Sequence, residues 1–274
     1  MTQDVLVIIG VGGMGLAVAR RLGSGTQLLL ADVDPVGLDA AAARLSEDGY
    51  QVTTRVVDVS SPESVAALAK HADGLGPVTR LVHTAGLSPV QAPIPAILAV
   101  DLLGVALVAE EFGAIVAPGG AGVVISSMSG YFYPDTVPPD QAAALRSAPA
   151  AELLRLPVAA AENFADPGMA YSFAKFANRL RAQGVSRSWG ERGARFNSVS
   201  PGVISTAMGR AELGGASGAR MRAMIDNSNA KRPGTPEDIA AAVEFLLGPA
   251  ATFVSGIDLL VDGGAVAGVL GAVR

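Results

Sequence analysis

Val5-Leu6-Val7-Ile8-Ile9-Gly10-Val11-Gly12-Gly13-Met14-Gly15 is the stretch whose reading decides the fold. Five consecutive apolar residues without alternation predict a short strand buried on both faces, as in a parallel sheet. The Gly10-x-Gly12-x-x-Gly15 spacing that follows, with a helix over 14–22, has the form of a dinucleotide-binding turn. Glycine is needed there because the chain turns tightly and its backbone must approach a pyrophosphate lying on the helix N-terminus. A second strand over 27–31 leads to Asp32, 17 residues after Gly15. A carboxylate at that point can accept hydrogen bonds from the adenosine ribose hydroxyls and would repel a 2′-phosphate, so NAD(H) is expected over NADP(H).

The alternation continues outward from this unit. Strands are expected over 52–56, 79–83 and 122–126, separated by helices over 36–48, from Pro62 onward and over 93–116. Ser60 or Ser61 caps the helix that begins at Pro62, a favoured first-turn position. After Ser129-Gly130 the pattern fails. Residues 131–168 hold six prolines with short Ala/Leu-rich pieces between them, which predicts an inserted subdomain of one or two short helices. Regularity resumes with a helix over 169–188 and a strand over 194–199. A mixed segment over 203–232, a helix over 236–247 and a last strand over 257–261 follow. The β-α-β order predicts an α/β fold, a single Rossmann-type doubly wound parallel sheet of about seven strands spanning 1–274, with a small helical insert.

Composition narrows the function classes. Half of the 274 residues are hydrophobic and 16% are charged, enough to bury one large core. The net charge of −5 gives no reason to expect nucleic acid or an anionic membrane as partner. With no cysteine there is no disulfide, thiolate nucleophile or thiolate-ligated metal, and two histidines, His71 and His83, are too few for a histidine metal cluster, so no metal is expected. The glycine-broken apolar stretch over 5–19, preceded by Asp4 and no Lys or Arg, does not read as a secretory signal. A soluble, cytoplasmic protein is expected.

Tyr171-Ser-Phe-Ala-Lys175 supplies candidate chemistry. Residues four apart share a helix face, so phenol and ammonium reach one point in space. A free tyrosine titrates near about pH 10 and is a poor base at neutrality, and an adjacent cation favours the phenolate.

Taken together these motifs resemble the short-chain dehydrogenase/reductase family over nearly the whole chain. Asp58-Val59 after the third strand is similar to the pair that holds the adenine ring, and Thr84-Ala85-Gly86 to the second half of the family's Asn-Asn-Ala-Gly turn. Ile125-Ser126-Ser127 resembles the catalytic serine segment, with Ser127 at the catalytic position. Tyr171-x-x-x-Lys175 matches the catalytic pair, and Pro201-Gly202-Val203-Ile204-Ser205-Thr206 the loop along the nicotinamide. The resemblance implies NAD(H) held by Gly10, Gly12, Gly13, Met14, Gly15, Asp32, Asp58, Val59, Thr84, Ala85, Gly86, Tyr171, Lys175, Pro201, Gly202, Val203 and Thr206. It further implies that Tyr171 exchanges a proton with a substrate oxygen, that Ser127 positions that oxygen, and that Lys175 lowers the Tyr171 pKa. A homodimer or homotetramer is the family habit.

Three departures qualify the match. The first glycine turn is one residue shorter than the family's usual form, and Ile9 replaces its threonine. Asp101, in Val100-Asp101-Leu102-Leu103-Gly104, takes the place of an asparagine that supports a proton relay from the lysine. It either sustains that relay with an altered pH profile or is a helix-kink residue with no catalytic part. Likewise His83 stands where the family has the first Asn, as a strand-end residue with no catalytic part expected. Finally, Ser127 and Tyr171 are 44 residues apart, far more than usual, because the insert lies between them, as in some bacterial hydroxysteroid dehydrogenase/carbonyl reductases.

The insert leaves from one catalytic position and returns at another, so its ends are expected beside the active site. Its acidic groups (Asp135, Asp140, Glu152, Glu162, Asp166) outnumber Arg146 and Arg155, which disfavours an anionic substrate from that side. Met128 and Met169, with Met208, Met221 and Met224 in the 203–232 segment that covers substrate in the family, suit an adaptable apolar pocket. The expected function is NAD(H)-dependent interconversion of a secondary alcohol and a ketone, with a hydrophobic or alicyclic, steroid-like substrate. The alternatives are a catalytically weak NAD(H)-binding or sensing protein, and an epimerase or dehydratase on the same fold.

Overall fold

A computed structural model describes residues 3–90, 92–134 and 136–271; Asp135 of the insert lies outside the described residues. Seven strands form one parallel sheet: β1 (Val5–Ile9), β2 (Gln27–Asp32), β3 (Gln51–Val56), β4 (Val78–His83), β5 (Ala121–Ile125), β6 (Arg195–Pro201) and β7 (Asp258–Val261). Their spatial order is β3-β2-β1-β4-β5-β6-β7. All seven expected strands are present, with ends displaced by no more than two residues.

The sheet is buried on both faces, which is why its central strands lack alternation. Leu6 and Ile8 of β1 pack against α1 (Gly13–Leu22), α2 (Pro35–Glu47) and α11 (Pro236–Leu247). Val5, Val7 and Ile9 face α3 (Pro62–Leu75), α5 (Val105–Ile115) and α8 (Pro167–Glu191), the last contributing Phe173, Ala177, Leu180 and Trp189. The chain winds from β1 to β3 in one direction and returns through β4 in the other. The loops after β1 and β4 therefore part above the sheet, leaving the crevice in which such folds bind ligands.

Local signals set several helix starts. Ser61, rather than Ser60, caps α3 by accepting from Ser64 N, and Thr235 with Asp238 forms a capping box on α11. Two caps aim helices at the crevice: Asp166 accepts from Met169 N at the start of α8, and Thr206 accepts from Gly209 N at the start of α9 (Ala207–Gly214). Each is worth about 1 kcal/mol by comparison with alanine.

The structure changes or refines the expectation in three places. The uninterrupted helix over 93–116 is instead α4 (Ile94–Ile97), a π-helical segment Leu98–Gly104 and α5. The wider π turn changes where its side chains point, and Asp101 lies in it. The insert contains α6 (Pro139–Ser147), α7 (Ala150–Leu153) and two 3-10 turns, Pro157–Ala159 and Ala161–Asn163. The mixed segment resolves into α9 and α10 (Gly218–Asn227), and an unforeseen α12 (Ala265–Gly271) follows β7.

The insert is fastened to the body. Arg181 of α8, itself buried, donates to Ala148 O at 2.6 Å and Arg146 O at 3.3 Å and pairs with Glu110 of α5 at 3.1 Å. The same Glu110 carboxylate accepts from Ala150 N at 2.9 Å. Among the described residues no helix is long and apolar enough to cross a membrane.

Candidate active site

The glycine turn sits between the ends of β1 and β4. Gly10 has φ +96°, and a Cβ there would lie 2.5 Å from Ala85 N, so only glycine fits. Thr84 Oγ1 donates to Gly10 O at 2.8 Å, while Thr84 N and Ala85 N both donate to Ile9 O, at 2.7 and 3.0 Å. At the end of β2 the Asp32 carboxylate accepts from Val11 N at 2.8 Å and from Asp34 N at 3.1 Å, which ties the acidic residue to the turn.

These residues fit a dinucleotide. The N-terminus of α1 has no side-chain cap and no acidic group in its first turn, and the space beside Gly12 is open to 4 Å. An unscreened helix N-terminus above open space suits a phosphate. Thr206 lies against Gly13, its Cγ2 3.1 Å from where a Cβ would be, so the 201–206 loop meets the glycine turn. Asp58 and Val59 follow β3 on the same side of the sheet; Asp58 is exposed and holds Ser60 through 2.9 and 2.7 Å hydrogen bonds, while Val59 is buried.

Ser127, Tyr171 and Lys175 line one cavity of about 640 Å³ beside this turn. Ser127 follows β5 and caps the Met128–Tyr131 turn, accepting from Ser129 N at 3.2 Å. That turn rests on α8 at Gly130, where a Cβ would come within 2.7 Å of Lys175 C and Phe176 N. A second brace is the ring of Tyr131, stacked 3.5 Å below the Arg179 guanidinium, with its hydroxyl donating to Asp258 of β7 at 2.7 Å. Tyr171, Lys175 and Arg179 are spaced by four along α8, so one helix face carries the phenol, the ammonium and the brace. Lys175 Nζ lies 5.3 Å from the Tyr171 ring centre.

Lys175 also meets Asp101. Its Nζ is 2.9 Å from Asp101 Oδ1, both side chains are buried, and the other Asp101 oxygen accepts from Leu87 N at 3.1 Å. Burial alone would lower the ammonium, but the Asp101 carboxylate and the Tyr171 phenol outweigh it and hold Lys175 above the ordinary lysine range. Burial pushes the Asp101 carboxyl up, opposed by Lys175 and the Leu87 N–H.

Tyr171 departs from expectation. The resemblance implies a phenol brought down by Lys175; here burial is the largest influence and pushes it up. The Lys175 charge pulls down, Asp101 and Glu212 push up again, and nearby Ser127 favours the phenolate. The partial exposure of Tyr171 is to the cavity, so its surroundings stay poorly solvated. The net direction is upward because burial outweighs the pull of Lys175, and the Asp101 carboxylate paired with that cation pushes the same way. His83, at the end of β4, is buried, and burial together with the Lys175 charge lowers it to about 3 against a smaller upward pull from the Ile9 backbone.

Three further sources contribute to the cavity wall. Phe132, Tyr133, Asp166 and Met169 enter from the two ends of the insert, and Met128 from the serine turn. Met208, Glu212, Arg220, Met221 and Met224 enter from α9 and α10. Glu212 was not identified from the sequence. Its carboxyl is pushed up by burial and hydrogen-bonded by Ser88, and it feels Lys175. The available signal was its position four residues after Met208, on the same face of one helix turn.

Comparison with known proteins shows the family. Residues 3–139 match the family model described as short chain dehydrogenase, and residues 140–266 the one described as Enoyl-(Acyl carrier protein) reductase. A short-chain dehydrogenase/reductase of Alternaria brassicicola is 41% identical over 267 residues, covering 97% of each chain. The chain belongs to the short-chain dehydrogenase/reductase family and is an oxidoreductase of that type. Galactitol 2-dehydrogenase (L-tagatose-forming) of Cereibacter sphaeroides is 29% identical, covering 94% of this chain and 92% of its own. The crystal structure of levodione reductase has the same fold, with a TM-score of 0.76 over 97% of this chain and 99% of that one, at 24% identity.

Proposed function

We propose that the chain is an NAD(H)-dependent oxidoreductase that interconverts a secondary alcohol and a ketone, with Tyr171 as the proton-exchanging group. The observation that carries this reading is the convergence of Ser127, Tyr171 and Lys175 on one cavity that Met14 of the glycine turn, Thr84 and Gly86 also line. Gly10, Gly12, Gly13, Met14 and Gly15 would hold the pyrophosphate, Asp32 the adenosine ribose, and Asp58 and Val59 the adenine side. Thr84, Ala85, Gly86, Pro201, Gly202, Val203 and Thr206 would line the nicotinamide half. The bound cofactor supplies or accepts the hydride at its nicotinamide ring. The chain's own residues do the rest: Ser127 Oγ orients the substrate oxygen, Tyr171 Oη gives or takes its proton, and the Lys175 charge stabilises the phenolate.

NAD(H) rather than NADP(H) follows from the Asp32 carboxylate at the end of β2. A hydrophobic or alicyclic substrate is supported by six methionines on the cavity wall (Met14, Met128, Met169, Met208, Met221 and Met224). The secondary-alcohol assignment is supported by the relative named for forming a ketose from galactitol. The α9–α10 segment would cover substrate, and the insert ends would shape its entrance. A homodimer or homotetramer in the cytoplasm completes the proposal.

The test is a panel of alicyclic ketones with NADH, followed by NADH absorbance. Tyr171→Phe should abolish turnover while NADH binding persists. Turnover near wild type in that variant refutes the assignment, and NADH binding without turnover of any ketone or alcohol favours the sensing alternative.

A further inference from the structure

Asp101 is placed unlike anything its residue type requires. A π-helical segment carries it into the sheet-facing interior, where it is fully buried and 2.9 Å from Lys175 Nζ. Backbone packing fixes it there: a Cβ on Gly86 would approach Asp101 Oδ1 to 2.6 Å and Lys175 Nζ to 3.4 Å, and Leu87 N donates to the second carboxylate oxygen. Burying a carboxylate in this way is costly unless it is paired, and among the described residues its one cationic partner is the lysine beside the tyrosine. A cation paired with a carboxylate at ion-pair distance stabilises a second anion less than a free one would.

We infer that Asp101 is a positioning residue that sets the charge of the site: by pairing with Lys175 it weakens the pull of the ammonium on Tyr171 and keeps the phenol, at neutral pH, in the proton-donating form that ketone reduction uses directly. This rests on Tyr171 being the acid–base group. In the reducing direction the carbonyl carbon accepts the hydride supplied by NADH and the carbonyl oxygen takes the proton of Tyr171 Oη, giving the alcohol, NAD and a phenolate that solvent reprotonates. Alcohol oxidation needs the phenolate first, the form this arrangement disfavours.

The other groups facing the phenol act in the same sense or are too weak to reverse it. Glu212 of α9 adds a second negative charge, Ser127 is neutral, and His83 of β4 is buried and neutral beside Lys175. Arg220 and Asp166, of opposite sign, line the same cavity from α10 and the cap of α8. Removing Asp101 leaves Tyr171 phenolate as the nearest available counter-ion for Lys175.

Two measurements test this. The first is the phenolate absorbance of the cofactor-free protein against pH, with Tyr171→Phe as the blank. The wild-type Tyr171 midpoint should lie above the ordinary value of about 10. In Asp101→Asn, and in Asp101→Ser should the first variant fold poorly, it should fall by at least about one pH unit, the shift expected for a cation freed at this range. The second is the pH profile of kcat/KM for alcohol oxidation, whose acid limb should move down by a similar step in the folded variant, while ketone reduction loses its plateau at high pH. A wild-type midpoint near neutrality overturns the inference without any variant. So does an unmoved midpoint or limb in a folded Asp101 variant, even one with lower activity. Tyr171→Phe turning over normally would instead overturn the acid–base assignment itself, so the two failures are distinguishable.

Discussion

Asp32→Asn is expected to change cofactor choice by a calculable amount. The side chain is half-buried at the end of β2, and its two oxygens hold Val11 N at 2.8 Å and Asp34 N at 3.1 Å. Asparagine keeps one oxygen, which can still accept from Val11 N, so the glycine turn should stand. What disappears is one negative charge facing the ribose. A 2′-phosphate carrying about two charges at about 5 Å would feel roughly 2 to 6 kcal/mol of repulsion for effective dielectrics between 80 and 20. A half-exposed site lies toward the lower end, so about 3 kcal/mol, or a factor of about 100, is the working figure. Efficiency with NAD(H) should fall by about tenfold, because an amide oxygen accepts more weakly than a carboxylate from the ribose hydroxyls. The assay is kcat/KM for both cofactors at one saturating ketone concentration, with dissociation constants from fluorescence titration as an activity-free check. An NADP(H) efficiency that stays unchanged in the variant, or a wild type that uses both cofactors equally, would refute the reasoning.

Two further predictions concern stability. Arg181→Met removes a buried guanidinium that joins α8 to the insert and to Glu110, leaving Ala148 O and Arg146 O without their donor. Urea unfolding should show a loss of about 3 kcal/mol, and a loss under about 1 kcal/mol would mean that the insert is held by its apolar contacts alone. His83 titrates at about 3 in the folded chain, against about 6.5 unfolded. Between those values the unfolded chain binds a proton that the native one refuses, so stability falls as pH drops, by up to about 1.4 kcal/mol per unit. The wild type should therefore lose about 2 kcal/mol more than His83→Leu between about pH 7 and pH 5; equal losses would show that His83 accepts its proton in place. These stand beside the outcomes stated for Tyr171→Phe and for Asp101→Asn.

The fold was legible because its signals are local. Five apolar residues before a glycine turn read as a strand buried on both faces, and Ser61 before Pro62 marks a helix start by accepting from its own first turn. Tyr171 and Lys175 were legible for the same reason, as helix spacing alone puts them on one face. Ser127 needed the family resemblance, since a serine at a strand end has no spacing to tie it to a tyrosine 44 residues on.

What only the tertiary structure decided is how these parts are charged and where they meet. Nothing in Val100-Asp101-Leu102 foretells a π turn, because an extra residue in a helix is accommodated by packing on either side and not by local propensity. Nor could one dimension show that Asp101 and Lys175, 74 residues apart, are 2.9 Å from each other, or that Glu212 looks onto the same tyrosine. The phenol's ionisation depends on every charge and every buried atom around it, whatever their order in the chain. The sequence determined that a tyrosine and a lysine would stand together on α8; the fold determined that a buried carboxylate shares the lysine's charge.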